Sequence, residues 1–236
     1  MKNVAIKFAL MLLSPSASFA YSVSPMTAEF KIESNELSQV YTVTNTDSQP
    51  LAIEVRIEER SHDPGGKEIS KSTEDIKKLF SIFPKAALIQ PKQKKGIRVI
   101  YLGPKNLLKE KAYRVIISQQ PSRDATEKAG VKMLQEFKTA AYVVPKNAKP
   151  DVKLKNVELI GKAIKLTFEN QGSAHKLVKT MSVLVSDELG NEVTFDQGKE
   201  NQFLVNFLSG EERYLIVEKP ERLKGKTLKA RLKSIE

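Results

Sequence analysis

The sequence predicts an all-β protein that consists of two β-sandwich domains. Short segments in which apolar and polar residues alternate recur along the chain, and clusters of Asn, Asp, Gly and Pro separate them. A segment with two prolines, 145–150, divides these strands into two series. Directly before it lies a long alternating segment, 131–144. Its apolar side chains need a partner surface to cover them, so this segment is the first candidate for function.

The first series of strands precedes the prolines. Segment 51–57 shows the pattern most clearly, because aliphatic residues at alternate positions face one way and Glu54 and Arg56 face the other. Two short segments, 72–79 and 104–111, look helical. Further strands are predicted at 38–44, 80–83, 87–90, 96–102 and 113–118.

The second series follows the prolines and predicts a smaller β-sandwich. Its strands are predicted at 153–159, 163–169, 180–186, 192–195, 203–208, 212–217 and 227–235. The predicted organisation is therefore an N-terminal domain at 21–145, a linker at 146–150 and a C-terminal domain at 151–236.

Residues 1–20 have the pattern of a cleaved secretory signal peptide. Lys2 and Lys7 are basic, residues 8–13 form a short apolar core, and Ser18 and Ala20 supply small residues at a cleavage site. The apolar run is far shorter than the ~20 residues that a membrane-spanning helix needs. We therefore expect an exported chain that begins at Tyr21 and is not inserted in a membrane.

The composition excludes several classes of function. The chain has no cysteine, so its domains must be held by their cores alone and a Cys nucleophile is ruled out. The formal net charge is +11, but the lysines are interspersed with glutamates rather than gathered with aromatic residues. Charge of this kind is typical of a solvated surface, and export argues further against nucleic-acid binding.

No motif for catalysis or for a metal or other cofactor stands out in the sequence. The two histidines, His62 and His175, lie in loops, and neither has another histidine near it. No serine has a Gly-x-Ser-x-Gly setting, and no phosphate-binding or calcium-binding loop is present. The sequence therefore offers no evident site for catalysis or for a cofactor, and a Ser-His-Asp triad is the one catalytic alternative that stays open.

Three stretches of the chain carry a resemblance to a known family. They are residues 83–99 with Phe83-Pro84 and Gln90-Pro91, residues 110–121, and Tyr142-Val143-Val144-Pro145. Through them the chain resembles the periplasmic chaperones of the chaperone–usher pilus pathway, the PapD-like family. The resemblance spans residues 21–236 and implies two immunoglobulin-like β-sandwich domains in a boomerang arrangement.

The resemblance also implies a function that is not enzymatic and needs no cofactor, and it implies the partners. Such a chaperone holds pilus or fimbrial subunits in the periplasm by donor-strand complementation, which lends a strand to an incomplete sandwich, and delivers them to an outer-membrane usher. The lent strand would lie within 131–138. Alternation then puts the subunit-binding donor residues on one face, namely Val131, Met133, Gln135 and Phe137. From the residues alone, an ordinary core strand covered by its own domain remains an alternative, and the register is open by one residue.

The chain departs from the family at the positions that bind the subunit's terminal carboxylate. The resemblance expects an arginine and a lysine there, but Thr27 and Ala140 occupy the matching positions. Lys138 and Arg114 are the remaining anchor candidates. Glu110 matches an acidic position that, in the family, ties the two domains together.

Two other classes of function stay open at this stage. One is an exported two-domain immunoglobulin-like binding or adhesion protein, which would bind a ligand without a co-purifying subunit. The other is an exported hydrolase, for which the sequence offers no site.

Overall fold

The computed structural model describes residues 21–121, 134–198 and 204–236. The predicted signal peptide lies outside these residues. Within these residues nearly all regular structure is β, in eighteen strands and one short helix. The first ten strands are β1 Tyr21–Ser24, β2 Thr27–Lys31, β3 Ser38–Asn45, β4 Leu51–His62, β5 Glu68–Lys71, β6 Phe80–Phe83, β7 Ala86–Ile89, β8 Lys94–Tyr101, β9 Lys111–Gln119 and β10 Glu136–Val144.

These ten strands form the first sandwich from two sheets. One sheet has the order β1-β3-β8-β6, and the other has the order β2-β10-β9-β4-β5, with β7 also paired to β4. Alternate residues of each strand point into the space between the sheets. In β4, for example, Leu51, Ile53, Val55 and Ile57 are all buried. A cluster of aromatic rings around Phe80 fills the centre of this core.

The single helix, α1 Glu74–Lys78, ends the connection between β5 and β6. Thr73 caps it, because its hydroxyl accepts a hydrogen bond from the Ile76 amide at 3.2 Å. Acidic residues in the first turn and lysines in the last turn suit the helix dipole, and Ile76 anchors the helix on the core. The sequence predicted this helix.

The prediction of a second helix at 104–111 is wrong. Residues 104–110 are irregular, and Lys111 already belongs to β9. The segment bonds to other parts of the protein instead of to itself. Tyr101 donates its hydroxyl to the Pro104 carbonyl at 3.1 Å, and the Glu110 amide donates to the Ser173 carbonyl at 2.9 Å.

The remaining strands form the second sandwich. They are β11 Val152–Ile160, β12 Ala163–Asn170, β13 Lys176–Val178, β14 Met181–Asp187, β15 Glu192–Gln197, β16 Val205–Phe207, β17 Glu212–Glu218 and β18 Leu228–Ile235. They pair as β11-β12-β17, β13-β16 and β15-β14-β18. The core lies between these sheets, where alternate residues of β12 and β14 are buried around Phe168 and Phe207. No helix in the described part of the chain is long and apolar enough to cross a membrane.

Candidate functional site

The strand β10 has an open edge at its N-terminal end. It pairs with β9 from Glu136 onwards, but its pairing with β2 on the other side begins only at Ala140. Residues 136–139, here called the open edge, therefore have no strand on that side among the described residues. The Ala140 amide donates to the Met26 carbonyl at 2.8 Å, which shows that even-numbered amides of β10 point to this side. The amides of Glu136 and Lys138 consequently point outwards along the open edge.

The inner face of β10 belongs to the core of the first sandwich. Phe137 is partly buried there, and its ring meets the Tyr21 ring edge-on at 4.8 Å between centroids. The Tyr21 hydroxyl donates to the carbonyls of Ile117 at 2.9 Å and Gln135 at 3.0 Å. Two of the four predicted donor residues, Gln135 and Phe137, thus lie where β10 begins. The other two, Val131 and Met133, lie outside the described residues.

A small polar network holds the beginning of β10 in place. Glu136 accepts hydrogen bonds from Arg56 and from the Ser118 hydroxyl, each at 2.8 Å. Partial burial of Glu136 opposes its ionisation, but the hydrogen bonds and the Arg56 charge outweigh it and lower its pKa. Together with Tyr21, this network ties the end of the open edge to β4 and β9.

The outer face of β10 carries Lys138, Ala140 and Tyr142. Ala140 lies directly opposite Thr27 of β2, so the two positions expected to be basic are neighbours in space and neither carries a charge. Lys138, two residues earlier, has a side chain that is 52% exposed, and its ammonium lies 3.6 Å from the Glu136 carboxylate. It lies beside the open edge.

Arg114, the second anchor candidate, is already bound to a carboxylate. Its Nε donates to Glu68 at 3.0 Å, and Arg60 donates to the same carboxylate at 2.8 Å. Partial burial of Glu68 opposes its ionisation, but hydrogen bonds and charges from the two arginines prevail and lower its pKa to about 2. Glu68 therefore neutralises part of the positive charge on this face.

The other half of β10 forms the junction between the two sandwiches. Here Ala112, Ala140, Tyr142 and Val144 pack against Leu208 of the second sandwich. Tyr142 is 2% exposed, and its hydroxyl accepts hydrogen bonds from Asn206 at 2.7 Å and from Arg60 at 3.3 Å. Burial raises the pKa of Tyr142, which keeps the phenol protonated. One strand therefore carries both an open edge and the contact with the second sandwich.

Glu110 reaches the second sandwich from the segment before β9. Its carboxylate lies 2.8 Å and 3.0 Å from Nδ1 of His175, and the His175 ring stacks on the Tyr142 ring with 3.9 Å between centroids. The Glu110 side chain is almost fully buried, so this contact lies inside the junction.

Sequence reasoning missed most of the residues at the junction. It left both histidines as isolated loop residues, whereas each contacts a glutamate of the opposite sandwich. Their partners are 65 and 149 positions away in the chain, and no local pattern connects residues at such distances. In the described part of the chain, no group of three or more His, Cys, Asp and Glu residues could hold a metal ion.

A family model matches residues 22–149, which is more than half of the chain. Its description is "Pili and flagellar-assembly chaperone, PapD N-terminal domain". The chain belongs to this family of pilus-assembly chaperones. No curated protein matches it in sequence.

Solved chaperone structures share the fold over almost the whole chain. One is a complex of the chaperone CsuC with the tip adhesion subunit CsuE of the archaic Csu pili of Acinetobacter baumannii. The match has a TM-score of 0.57 at 13% identity and covers 84% of this chain and 90% of that chain. The class 5 fimbriae chaperone CfaA matches with a TM-score of 0.57 at 13% identity. The match covers 91% of this chain and 99% of that chain. The Salmonella enterica complex of SafA pilin with the SafB chaperone matches with a TM-score of 0.54 at 12% identity. The match covers 92% of this chain and 98% of that chain.

Proposed function

We propose that this protein is a periplasmic chaperone that binds pilus or fimbrial subunits along the open edge of β10 and delivers them to an outer-membrane usher. The observation that carries this proposal is that the Glu136 and Lys138 amides point to the side of β10 on which no described strand pairs before Ala140. A strand edge that presents amides to an unpaired side is a template for a strand from another chain.

The physical basis is completion of two sandwiches by one strand. Main-chain hydrogen bonds along the open edge would hold the subunit in register, and alternate side chains would fill the gap in its core. A large apolar side chain that becomes fully buried contributes about 1.5–3 kcal/mol. The contacts of Tyr21, Arg56 and Ser118 support this role, because a strand that is held in place before binding loses less entropy on binding.

The donor face follows from the alternation along the strand. Phe137 points into the core of the first sandwich. Residues at the same parity, Val131, Met133 and Gln135, would continue this face beyond the end of the sandwich and enter the subunit. In this proposal Phe137 joins the two cores, and Val131 and Met133 provide the side chains that the subunit lacks.

The subunit carboxylate needs an anchor near Ala140. We assign this role first to Lys138, since its side chain is half exposed and its ammonium lies 3.6 Å from its nearest carboxylate among the described residues, that of Glu136. Arg114 follows, because Glu68 already occupies its guanidinium. Glu110 holds the 21–145 and 151–236 domains together across the 146–150 linker, and its buried contact with His175 supports that role.

Co-expression with candidate subunits tests the proposal. We expect the wild-type chain to co-purify with a subunit from the periplasm. Met133→Glu should abolish this, because a charge would enter an apolar groove without a partner. Leu108→Glu is the matched control, since Leu108 is 90% exposed and belongs to no strand. Both variants should keep the wild-type thermal midpoint. A wild-type chain that binds a surface ligand but no subunit would favour an adhesion module instead.

A further inference from the structure

The hairpin formed by β4 and β5 extends from the first sandwich and touches the second. Its tip, residues 62–67, lies against the beginning of β17. The His62 amide donates to Glu211 Oε1 at 2.7 Å, and His62 Nδ1 lies 2.8 Å from Glu211 Oε2. The Tyr214 amide donates to the Pro64 carbonyl at 2.9 Å. A backbone hydrogen bond and a two-point contact with a carboxylate thus join the two sandwiches here.

The orientation of the His62 ring is fixed from both sides. Arg60 Nη2 lies 3.2 Å from His62 Nε2, and an arginine can only donate hydrogen bonds. Nε2 is therefore the acceptor, and Nδ1 carries the hydrogen that is donated to Glu211. The side chains of His62 and Glu211 are only 5% and 13% exposed, so water does not compete strongly for this contact.

The hairpin tip is also shaped to fit closely. The Gly66 amide donates to the Asp63 carbonyl at 2.9 Å, and Gly66 has φ +97°, a conformation that suits glycine. A Cβ atom on Gly66 would lie 2.5 Å from the Arg213 guanidinium, and one on Gly65 would lie 3.0 Å from the Tyr214 hydroxyl. The positive φ of Gly66 suits glycine, and the ends of the Arg213 and Tyr214 side chains fill the space beside the two glycines.

The same hairpin is connected to the strand with the open edge. Arg60 of β4 donates to the hydroxyl of Tyr142 on β10 and to Glu68 of β5. Glu68 in turn binds Arg114, which lies opposite Ala140 of β10. A chain of hydrogen bonds therefore runs from the hairpin tip to the strand on which we place subunit binding.

We propose that the β4–β5 hairpin acts as a strut that sets the orientation of the second sandwich relative to the open edge, with His62 and Glu211 as positioning residues for subunit binding. This inference rests on the proposed function. Two domains joined by a short linker can move relative to each other unless further contacts hold them. The strut provides such contacts in addition to those between Glu110 and His175. A fixed orientation keeps the second sandwich in place beside a subunit that lies along β10.

Two substitutions of His62 test the inference in the full-length chain. His62→Leu removes the side-chain donor, whereas His62→Asn keeps an N–H near the position of Nδ1. Because the chain has no cysteine, spin labels can be attached at Lys94→Cys and Lys229→Cys, which are exposed and lie in different sandwiches. The distance between the labels and the affinity for a co-purified subunit are then measured for each variant.

We expect His62→Leu to broaden the distance distribution and to weaken subunit binding about tenfold, as for the loss of one hydrogen bond to a charged group. His62→Asn should restore both. Glu211→Ala approaches the same contact from the other sandwich, and combining it with His62→Leu should add little further effect. Thr73→Ala is the matched control, because it removes the helix cap and lowers stability without touching the junction.

The outcomes separate this inference from the proposed function. A wild-type chain that binds no subunit contradicts the proposed function. A wild-type chain that binds its subunit while His62→Leu leaves the distances or the affinity unchanged overturns the strut. An equal loss of affinity in Thr73→Ala would also overturn it, because general destabilisation would then explain the result.

Discussion

At the scale of single residues, the charges around β10 are arranged in pairs rather than left free. Glu68 is bound by two arginines, and Glu136 is bound by Arg56. Lys138, whose ammonium lies 3.6 Å from Glu136, is held less closely than Arg114, whose Nε donates to Glu68 at 3.0 Å. This arrangement makes two predictions about individual side chains.

The first prediction concerns Glu68 and pH. Its pKa is about 2 in the folded protein and 4.5 in the reference state, so the folded state favours the ionised form. The stability that this provides is present above pH 4.5 and is lost as the pH falls towards 2. Because Glu68 is partly exposed and solvent screens its ion pairs, we expect Glu68→Gln to lower the free energy of unfolding by about 1–2 kcal/mol at pH 7. The difference from wild type should close near pH 2. Urea unfolding at pH 7, 4 and 2.5 measures this, and a difference that does not depend on pH would contradict it.

The second prediction concerns the subunit anchor. If Lys138 binds the subunit carboxylate, Lys138→Ala should weaken subunit binding by about 2–5 kcal/mol, because a partly desolvated charge pair is broken. A lysine that remains in solvent would contribute less than about 1 kcal/mol. Titration of the subunit against Lys138→Ala distinguishes these ranges, and Lys94→Ala, an exposed lysine on β8, is the control. A small effect would mean that the apolar contacts alone set the register.

At the scale of secondary-structure elements, β10 divides into two halves with different environments. Within the described ranges, residues 136–139 pair with a strand on one side, whereas Ala140–Val144 is paired on both sides and contacts the second sandwich. The open half is short and polar on its outer face, with Glu136 and Lys138. Charged residues on an exposed strand edge limit aggregation with other chains.

The third prediction tests the open edge through its backbone. The Lys138 amide points away from β9, so Lys138→Pro should remove a hydrogen-bond donor for the subunit and leave the pairing with β9 intact. We expect Lys138→Pro to bind the subunit more weakly than Lys138→Ala, by about 1 kcal/mol or more. Calorimetric titration of both variants gives the comparison. Equal affinities would show that the subunit does not pair with this edge.

At the scale of the whole molecule, the residue at which the exported chain is predicted to begin is part of the core. Tyr21 is fully buried, and its hydroxyl bonds to β9 and to the residue before β10. The place where the signal peptide is predicted to end therefore coincides with the first residue that packs in the sandwich.

The fourth prediction follows from this coincidence. We expect the exported protein to begin at Tyr21, after cleavage that follows Ala20. The intact mass of the protein from a periplasmic extract checks this directly. Recovery of residues 1–20 still attached to a membrane fraction would contradict it. A Tyr21→Phe variant should be exported normally. Its free energy of unfolding should be lower by about 1 kcal/mol, because the variant loses the hydrogen bonds to Ile117 and Gln135.

The sequence by itself determined the fold class and most of the strands. Alternation has a period of two residues and is visible within a single segment, so β4 and β14 could be recognised without knowledge of their neighbours. The two short strands before Lys31 were missed, because the chain moves from one sheet to the other between Ser24 and Thr27 and leaves only a few residues in each. The predicted helix at 104–111 failed because its polar groups bond to distant residues.

The tertiary structure alone decided which charged side chains already have a partner within the protein and which strand edge is open. Arg114 was a candidate anchor by position, but only the fold brings Glu68 of the hairpin against it. His62 and His175 had no evident partner, but the fold places each beside a glutamate of the other sandwich. The open edge of β10 depends on where β2 begins to pair with it, more than a hundred residues away in sequence. Local patterns specify strands, whereas the edges and charges that bind a partner depend on contacts between distant segments, and those arise only when the chain folds.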